Sequence, residues 1–369
     1  MKVPFIDLPA LHRPIEKDLI DALIEVLRSG RYILGPKVEE LEEAIARDVG
    51  VRFAVGVSSG TDALLAALMA LGVGPGDKVV TTPFSFVSTG EVIARTGARP
   101  VFVDLEPDGY NMDPEGVAEV LDEDVKAIIP VHLYGRMANV ERIREVAEDI
   151  PIIEDSAQSL GASRGGKAAG SLGELGCFSF FPTKNLGCLG DGGMVATDSE
   201  EINRKLRMIR AHGGKTKSSH PIMGGNFRRD PLQAAVLLVK RPHLAEWTEA
   251  RRENARAYDE AFRARELPLG LPALDGDGES CVWNQYVVNT PRRDELKAYL
   301  AQEGIATAIY YEKPFHLEGV FSYLRHKEGD FPRAETAARQ VLALPVHPML
   351  SVEERQRVVE GIANFFRDK

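Results

Sequence analysis

A lysine stands between aromatic and glycine-rich sequence in CFSFFPTKNLGCLGDGGMV, which spans residues 177–195. Burial of an amine among apolar groups disfavours its charged form, so Lys184 would be partly neutral near pH 7. A neutral amine attacks a carbonyl carbon and forms a Schiff base. An isolated lysine here could equally be a half-exposed residue at a strand end. Four glycines are expected to leave backbone room beside the amine, and they are Gly187, Gly190, Gly192 and Gly193.

Two other stretches carry complementary chemistry. In PIIEDSAQSLGA (151–162), Asp155 directly follows an apolar run, so its carboxylate needs a cation or a hydrogen-bond donor. The protonated ring nitrogen of pyridoxal phosphate (PLP) is both, although an ordinary helix cap is the alternative. In VSSGTDALLAALMALG (57–72), a hydroxyl-rich turn precedes an apolar helix. The free N–H groups of such a turn bind phosphate, and the alternative is again a simple cap.

An aromatic and a basic stretch complete the candidate site. TTPFSFVSTG (81–90) contains Phe84 and Phe86, which are either core residues or faces for stacking on a flat cofactor. HPIMGGNFRRDPLQAA (220–235) contains two adjacent arginines before a helix. A guanidinium binds a carboxylate through two hydrogen bonds, as an amino donor would require. One of these two arginines is expected to be a surface charge only.

Composition excludes several classes of protein. The chain has 369 residues, 44% of them hydrophobic, and a net charge of −10, which argues against a nonspecific nucleic-acid or acidic-membrane surface. No membrane span and no signal peptide are expected. The three cysteines lack the spacing of metal ligands and favour a reducing, cytoplasmic setting. The length favours two domains.

Short apolar runs alternate with helical patterns in the first two-thirds of the chain. This alternation predicts an α/β fold with a mostly parallel sheet covered by helices, in which ligands collect at the carboxyl ends of the strands. Strands are expected at 53–57, 78–83, 99–104, 126–132, 151–155, 177–181 and 193–197. Helices are expected at about 15–29, 37–49, 61–71, 88–96, 113–122, 139–149 and 199–211.

The remaining sequence predicts a smaller α+β domain. A polar helix at about 231–265 contains Pro242, which should kink it. We place the boundary in this helix, with a large domain at 1–245 and a smaller one at 246–369. Beyond the helix, the expected elements are a strand at 281–289, a helix at 292–303, a strand at 305–310 and helices at 333–342 and 351–367.

Four motifs, in this order, resemble the DegT/DnrJ/EryC1/StrS family of PLP-dependent nucleotide-sugar aminotransferases. They are SSGTDAL, EDSAQSLGA, SFFPTKNLGCLGDGG and GGNFRRDPLQAA, and the similarity extends from RYILGP to YYEKPFHLE. The resemblance implies the aspartate-aminotransferase fold, called fold type I among PLP enzymes. It also implies a homodimer whose active sites lie at the subunit interface.

The resemblance further implies a role for each residue that matches a family motif. Lys184 would bond covalently to the cofactor and later move the proton, and Asp155 would pair with the ring nitrogen. The other implied cofactor contacts are Gly60, Thr61 and Ser179 at the phosphate, Phe86 and Gln158 at the ring, and Asn226 from the neighbouring subunit. The implied substrate contacts are Arg228 at a carboxylate, and Arg31, Tyr32, Tyr310, Tyr311 and His316 at the sugar nucleotide.

The lysine segment KNLGCLGDGG is similar to that of the family's sugar C3 enzymes. The implied reaction transfers the amino group of L-glutamate to a 3-keto nucleotide sugar. Among such substrates, the resemblance favours a UDP-linked 3-keto-N-acetylhexosamine or its uronic acid, and after these a dTDP-3-keto-6-deoxyhexose. A C4 aminotransferase and a non-catalytic PLP-binding regulator are the alternatives. A sugar dehydratase is disfavoured because Lys184 is retained, and a nicotinamide dehydrogenase because the first strand–helix turn lacks GxGxxG.

Overall fold

Helices alternate with short strands through residues 2–216, 218–273, 276 and 278–367, which the computed structural model describes. The strands are β1 (Phe53–Val57), β2 (Lys78–Thr81), β3 (Arg99–Phe102), β4 (Val125–Ile129), β5 (Ile153–Asp155), β6 (Ser163–Arg164), β7 (Lys167–Ala168), β8 (Leu175–Ser179), β9 (Gly193–Thr197), β10 (Glu279–Ser280), β11 (Tyr286–Asn289) and β12 (Val341–Leu344). The α-helices are α1 (Leu8–His12), α2 (Glu16–Ser29), α3 (Pro36–Val49), α4 (Gly60–Leu71), α5 (Ser88–Arg95), α6 (Pro114–Val120), α7 (Val140–Ala147), α8 (Glu200–Ile209), α9 (Pro231–Lys240), α10 (Leu244–Ala264), α11 (Arg293–Gln302), α12 (Pro332–Gln340) and α13 (Val352–Arg367). Across these described residues, no helix is both long and apolar enough to cross a membrane.

Strands of the first half of the chain form the central sheet, in the order β1-β9-β8-β5-β4-β2-β3. The parallel bridges Ile128–Ile152 and Val131–Asp155 join β4 to β5. β2 is parallel to β3 and β4, and β5 is parallel to β8, whereas β9 is antiparallel to β1 and β8. The expectation of a mostly parallel sheet is therefore confirmed. The carboxyl ends of the parallel strands share one edge, where α/β sheets bind ligands.

The helix after β1 shows how local sequence determines these elements. Ser59 caps α4, because its hydroxyl accepts a hydrogen bond from the N–H of Asp62. The helix ends at Gly72, whose φ of +76° suits glycine far better than other residues. Between these ends the apolar side chains are buried against β8 and β9. The start of α4 is thereby fixed at the carboxyl edge of the sheet.

A second apolar core lies in the C-terminal part of the chain, around the antiparallel pair β11 and β12. On α10, the rings of Tyr258 and Phe262 stack with their centroids 5.6 Å apart. Tyr258 also contacts Tyr286 of β11, at 5.2 Å between centroids. The boundary between 245 and 246 stays a prediction, and it falls beside the start of α10 at Leu244.

Two expectations about the C-terminal elements have clear outcomes. The break at Pro242 is confirmed, since α9 ends at Lys240 and a short 3-10 turn precedes α10. The strand expected at 305–310 is wrong. There the chain passes between two segments and makes one bridge to each, from Ile305 to Val3 and from Ala308 to Ala343. The VLAL segment, partly expected as a helix end, instead forms β12.

A buried carboxylate ties α3 to the sheet. Glu42 is only 3% exposed, and its Oε1 accepts hydrogen bonds from the Gly56 N–H at 2.8 Å and from the Arg210 guanidinium. Its Oε2 accepts from Arg207 at 3.0 Å. Substitution Glu42→Ala leaves the buried Arg210 without its counter-charge, so we expect the free energy of unfolding to fall by about 3–5 kcal/mol. Urea denaturation measures this loss.

The adjacent Glu43 is the matched control, because it is exposed and its ion pair with Arg47 spans 3.9 Å. Glu43→Ala should lower the free energy of unfolding by less than about 1 kcal/mol. Equal losses in the two variants would contradict a special role for Glu42.

Candidate active site

Residues expected to do chemistry meet at the carboxyl edge of the central sheet. Asp155 is the last residue of β5, and Ser179 is the last residue of β8. Gly60 opens α4 shortly after β1, and Lys184 lies in the loop from β8 to β9. The antiparallel β9 returns this loop to the sheet, where Gly193 pairs with Ser179. Four parts of the chain thus converge on one site.

The Lys184 amine is perturbed in the expected direction. Its side chain is partly buried, and burial lowers the pKa of the amine to about 8. The Asp155 carboxylate opposes this effect and raises the pKa of Lys184, while the Lys184 charge lowers the pKa of Asp155. The two side chains therefore lie within electrostatic reach of each other. At pH 7 an amine of pKa about 8 is neutral in about one-tenth of the molecules.

Contacts from distant parts of the chain hold the loop around Lys184. The amine of Lys240, at the end of α9, donates to the Gly187 carbonyl at 2.6 Å, and burial lowers the pKa of this second lysine to about 8. The side-chain amide of Asn185 donates to the Val282 carbonyl at 2.8 Å. These two contacts restrain the backbone on the C-terminal side of Lys184, and the sequence reasoning missed both.

Arg229 occupies space beside the glycine-rich part of this loop. It is 1% exposed and donates from Nη1 to the Asp191 carbonyl at 3.0 Å. A Cβ at Gly192 would collide with its guanidinium, so the room at this glycine is taken by the protein and not by a ligand. The expectation that one of the two arginines is a surface charge is wrong, because Arg229 is buried and Arg228 is partly buried.

Asp155 is held by a threonine that the sequence reasoning also missed. The carboxylate is 4% exposed, and its Oδ2 accepts a hydrogen bond from the Thr89 hydroxyl at 2.8 Å. Its Oδ1 accepts from the Ala157 N–H at 3.2 Å. Burial raises the pKa of Asp155, and these two hydrogen bonds counteract part of the rise. Ser85 lies 3.3 Å from the Thr89 hydroxyl, and this i, i+4 pair in TTPFSFVSTG was the available sequence signal.

The start of α4 forms an anion-binding surface against β8. Gly60 lies so close to Ser179 that a Cβ on Gly60 would be 2.7 Å from the Ser179 Cβ. Thr61 follows in the first turn, where the N–H groups of a helix carry partial positive charge. Glycine is required here because backbone must approach the serine closely. The arrangement suits a phosphate bound by backbone N–H groups and hydroxyls.

Gln158 and aromatic rings line the other side of the site. The Gln158 side-chain carbonyl accepts from the Tyr134 N–H at 2.6 Å, and its amide donates to the Tyr311 hydroxyl at 3.2 Å. Burial raises the pKa of the Tyr311 phenol, which keeps it protonated. Phe86 is 55% exposed, and its ring centroid lies 6.3 Å from that of Tyr311. Phe84 is fully buried in the core, in agreement with the simpler of the two interpretations.

Several residues implied by the resemblance lie on the surface of this chain. Arg31 and Tyr32 are exposed between α2 and α3, where the Tyr32 hydroxyl donates to the Leu27 carbonyl at 2.9 Å. Asn226 is exposed as well. The Nε of Arg228 is buried and has no hydrogen-bond partner within the described residues. Their assigned roles stay predictions.

The two remaining candidates are engaged within the protein. Tyr310 is partly buried, and its carbonyl accepts a hydrogen bond from the Tyr134 hydroxyl. His316 is 2% exposed, and its Nε2 lies 3.0 Å from a Glu335 carboxylate oxygen. A substrate contact by His316 stays a prediction, and it would have to involve a ring that already interacts with the Glu335 carboxylate.

The donor set fits PLP. Asp155 is a buried carboxylate whose cost of burial a protonated ring nitrogen would offset. The close approach of Gly60 to Ser179 provides hydroxyl and N–H donors for a phosphate, and Phe86 exposes an aromatic face for a flat ring. The Lys184 amine has the lowered pKa that an aldehyde-binding lysine needs.

Substitution Thr89→Val tests the support of Asp155, because it removes the hydroxyl and keeps the side-chain shape. The lost hydrogen bond has a charged acceptor, and such bonds contribute about 1.5–3 kcal/mol. We therefore expect the dissociation constant of PLP to rise about tenfold or more. Fluorescence titration of the apo-protein with PLP measures the change.

Thr89→Ser is the control for this experiment, since it retains the hydroxyl that donates to Asp155. Its dissociation constant should stay within about threefold of the wild-type value. If Thr89→Val and Thr89→Ser bind PLP equally well, the hydroxyl does not support the cofactor site.

Comparison with known proteins shows which family this chain resembles over its length. The model of the DegT/DnrJ/EryC1/StrS aminotransferase family matches residues 13–363. The chain is 47% identical to a pleiotropic regulatory protein of Geobacillus stearothermophilus, over 100% of this chain and 99% of that one. It is 40% identical to the UDP-2-acetamido-2-deoxy-3-oxo-D-glucuronate aminotransferase of Pseudomonas aeruginosa, over 98% of this chain and 100% of that one.

A solved structure extends the likeness to three dimensions. The crystal structure of DesV from Streptomyces venezuelae, in complex with a ketimine intermediate, superposes on this chain with a TM-score of 0.95. The two are 40% identical, and the match covers 99% of this chain and 98% of DesV. The fold and the sequence agree, and the chain belongs to the DegT/DnrJ/EryC1/StrS aminotransferase family.

Proposed function

We propose that this aminotransferase moves the amino group of L-glutamate to the 3-keto group of a nucleotide-diphosphate sugar. A UDP-linked 3-keto-N-acetylhexosamine or its uronic acid is the first candidate, and a dTDP-3-keto-6-deoxyhexose is the next. The carrying observation is the electrostatic coupling of Lys184 with Asp155 at the carboxyl edge of the sheet. The C3 relatives and the KNLGCLGDGG segment support the position of the keto group.

The family's cofactor is PLP. When bound, it supplies a ring that stabilises negative charge on the carbon next to the transferred nitrogen. Asp155 would keep the ring nitrogen protonated, and Thr89 would orient the Asp155 carboxylate. Gly60, Thr61 and Ser179 would bind the phosphate. Gln158 and Phe86 would position the ring.

Lys184 would be the residue that moves the proton. Its Nζ, neutral in part at pH 7 because of its lowered pKa, takes the proton from the α-carbon of the amino donor. In the second half-reaction the ammonium form gives a proton to C3 of the sugar. Positioned proton transfer of this kind contributes about 10²–10⁴-fold to the rate.

Binding of the donor and the acceptor is assigned to residues around the entrance of the site. Arg228 has a buried Nε that is free to bind a donor carboxylate, as judged over the described residues. Arg31, Tyr32, Tyr310, Tyr311 and His316 are the candidates for the sugar nucleotide, as the family resemblance implies.

We infer a homodimer with shared active sites. Large apolar side chains are exposed, and examples are Phe86 and Phe181 in the segments that form the site and Met223 in the segment that contains Asn226. Burial of such side chains by a second subunit would be favourable. Asn226, which is exposed here, would then reach the phosphate in the site of the other subunit. A cytoplasmic location is part of the same proposal, and it is supported by three buried cysteines, none of which forms a disulfide bond within the described residues.

A regulatory protein is the second candidate, because the Geobacillus stearothermophilus relative is described as a pleiotropic regulatory protein. A regulator that binds PLP without catalysis would use the same lysine and aspartate to hold the cofactor, so these two residues do not separate the candidates. Reaction with glutamate separates the two candidates, since only the aminotransferase converts glutamate to 2-oxoglutarate.

Substitution Lys184→Ala should abolish turnover, because no other group would move the proton at that position. The assay incubates the PLP-loaded enzyme with glutamate and a panel of 3-keto and 4-keto nucleotide sugars, and detects amino sugars by mass spectrometry. The wild type should aminate 3-keto substrates. Substitution of Lys167, an exposed lysine on β7, by alanine is the control and should keep wild-type activity.

Two outcomes would contradict these expectations. Amination of 4-keto sugars alone would refute the C3 assignment, and turnover by Lys184→Ala would refute the role of the lysine.

The lowered pKa of Lys184 has its own test in the apo-protein. The rate of acetylation of the Lys184 amine should rise with pH and reach half its maximum at about pH 8. For free lysine amines in the same mixture, the acetylation rate should reach half its maximum near their ordinary pKa of about 10.4. Peptide mass spectrometry follows both.

Substitution Asp155→Asn tests the direction in which Asp155 shifts the pKa of Lys184. The negative charge of Asp155 raises the pKa of Lys184, so its removal should shift the acetylation midpoint to lower pH. A midpoint that stays fixed in Asp155→Asn would contradict the coupling of the two groups.

A further inference from the structure

Arg251 is a buried cation whose partners are all neutral. It lies on α10 and is 4% exposed. Its Nη1 donates to the carbonyls of Trp283 at 3.2 Å and Asn284 at 3.4 Å. Its Nε has no hydrogen-bond partner, and no acidic side chain pairs with it, among the residues that the structure describes. A buried charge without a counter-charge is costly, so the surroundings of Arg251 favour an anion.

A small cavity adjoins this guanidinium. Its volume is about 50 Å³, and Thr183 and Tyr310 form part of its wall. One water molecule needs about 10–15 Å³ of such space, so the cavity has room for about three or four heavy atoms. A carboxylate group has three heavy atoms. Thr183 directly precedes Lys184 in the chain, and Tyr310 directly precedes Tyr311, which contacts Gln158 of the candidate active site.

Two other buried polar side chains line the same cavity. Gln285 is 9% exposed, and its Oε1 has no partner within the described residues. Its amide can turn by 180° and present the NH₂ group without a change in shape. His347 is 3% exposed, and neither of its ring nitrogens has a hydrogen-bond partner within the described residues.

Two carboxylates that influence a residue of this cavity are engaged elsewhere. Asp7 and Glu354 both act electrostatically on His347. However, Asp7 accepts a backbone N–H in the first turn of α1, and Glu354 accepts one at the start of α13. Neither forms an ion pair with Arg251 in the described part of the chain. An external anion is therefore the counter-charge that this cavity could take.

We propose that this cavity, here called the Arg251 pocket and bounded by Thr183, Arg251, Asn284, Gln285, Tyr310 and His347, binds a carboxylate group of the amino donor. The inference rests on the proposed function, because glutamate carries two carboxylates and needs two cationic subsites. Arg228 is the candidate for one of them. The Arg251 pocket is the second, and it explains how a donor could be distinguished from an amine that carries one carboxylate or none.

The first test measures the glutamate half-reaction by stopped-flow absorbance. Arg251→Met, which removes the charge and keeps the side-chain length, should raise the KM for glutamate about tenfold or more. The KM for the keto sugar in the second half-reaction should not change. Arg252→Met is the matched control, because Arg252 also donates to a backbone carbonyl, that of Cys281 at 3.0 Å, but is not among the described residues that line the Arg251 pocket. Its KM for glutamate should stay within about twofold.

The second test needs no catalysis. Sodium formate, compared with sodium sulfate at equal ionic strength, should raise the melting temperature of the wild-type holoenzyme, because formate fits the pocket and sulfate does not. The shift should vanish in Arg251→Met. It should also vanish in Gln285→Glu, whose own carboxylate would pair with Arg251. Gln285→Glu provides the answer even if Arg251→Met does not fold, and it should raise the KM for glutamate as well.

Each outcome decides between defined alternatives. Absence of the formate shift in the wild type would mean that the pocket holds only water, and would overturn the proposal. A formate shift together with an unchanged KM for glutamate in both variants would make it a site for free anions, and would overturn the assignment to the donor. If wild-type enzyme does not react with glutamate at all, the proposed function fails, and the formate measurement still decides whether the pocket binds a carboxylate.

Discussion

The interaction on which the rest of the site depends is the attraction between two opposite charges, those of Lys184 and Asp155, which have little access to water. The Lys184 amine and the Asp155 carboxylate each suffer a cost of burial, and each lowers the cost of the other. The attraction between the two charges does not fully offset the cost of burial. The pKa of Lys184 stays lowered, at about 8, and the pKa of Asp155 stays raised. A site of this kind is prepared for a ligand that brings an electrophilic carbon to one residue and a protonated nitrogen to the other.

Contacts from outside the sheet hold the loop around Lys184 and the carboxylate of Asp155 in place. Lys240 and Arg229 each donate to a backbone carbonyl of the loop that carries Lys184. Thr89 donates to Asp155 from a separate helix. Although Lys240 and Arg229 are cations, the pKa of Lys184 responds to burial and to the charge of Asp155. The fully paired cluster at Glu42, in contrast, lies behind β1 and has a structural role.

The sequence predicts the sheet well, because apolar runs followed by turns mark buried parallel strands. It therefore places Asp155 at the end of β5 and Lys184 after β8, as the structure does. It does not reveal Thr89, since the contact to Asp155 joins residues 66 positions apart and depends on the packing of α5. The failure at 305–310 has a similar cause. Apolar alternation there predicts a strand, but a ladder also needs a neighbour in register, and each flanking segment offers only one bridge.

The packing of Arg229 against Gly192 has a consequence for protein engineering. Because the guanidinium lies where a side chain at 192 would begin, the two positions behave as one unit, and a larger residue at 192 would expel a charged group from the interior. Random libraries that diversify the glycine-rich loop to widen the range of acceptors would therefore contain many variants that do not fold. Variation at the exposed 31–32 segment avoids this penalty, since both side chains are exposed and neither forms an ion pair in the described part of the chain.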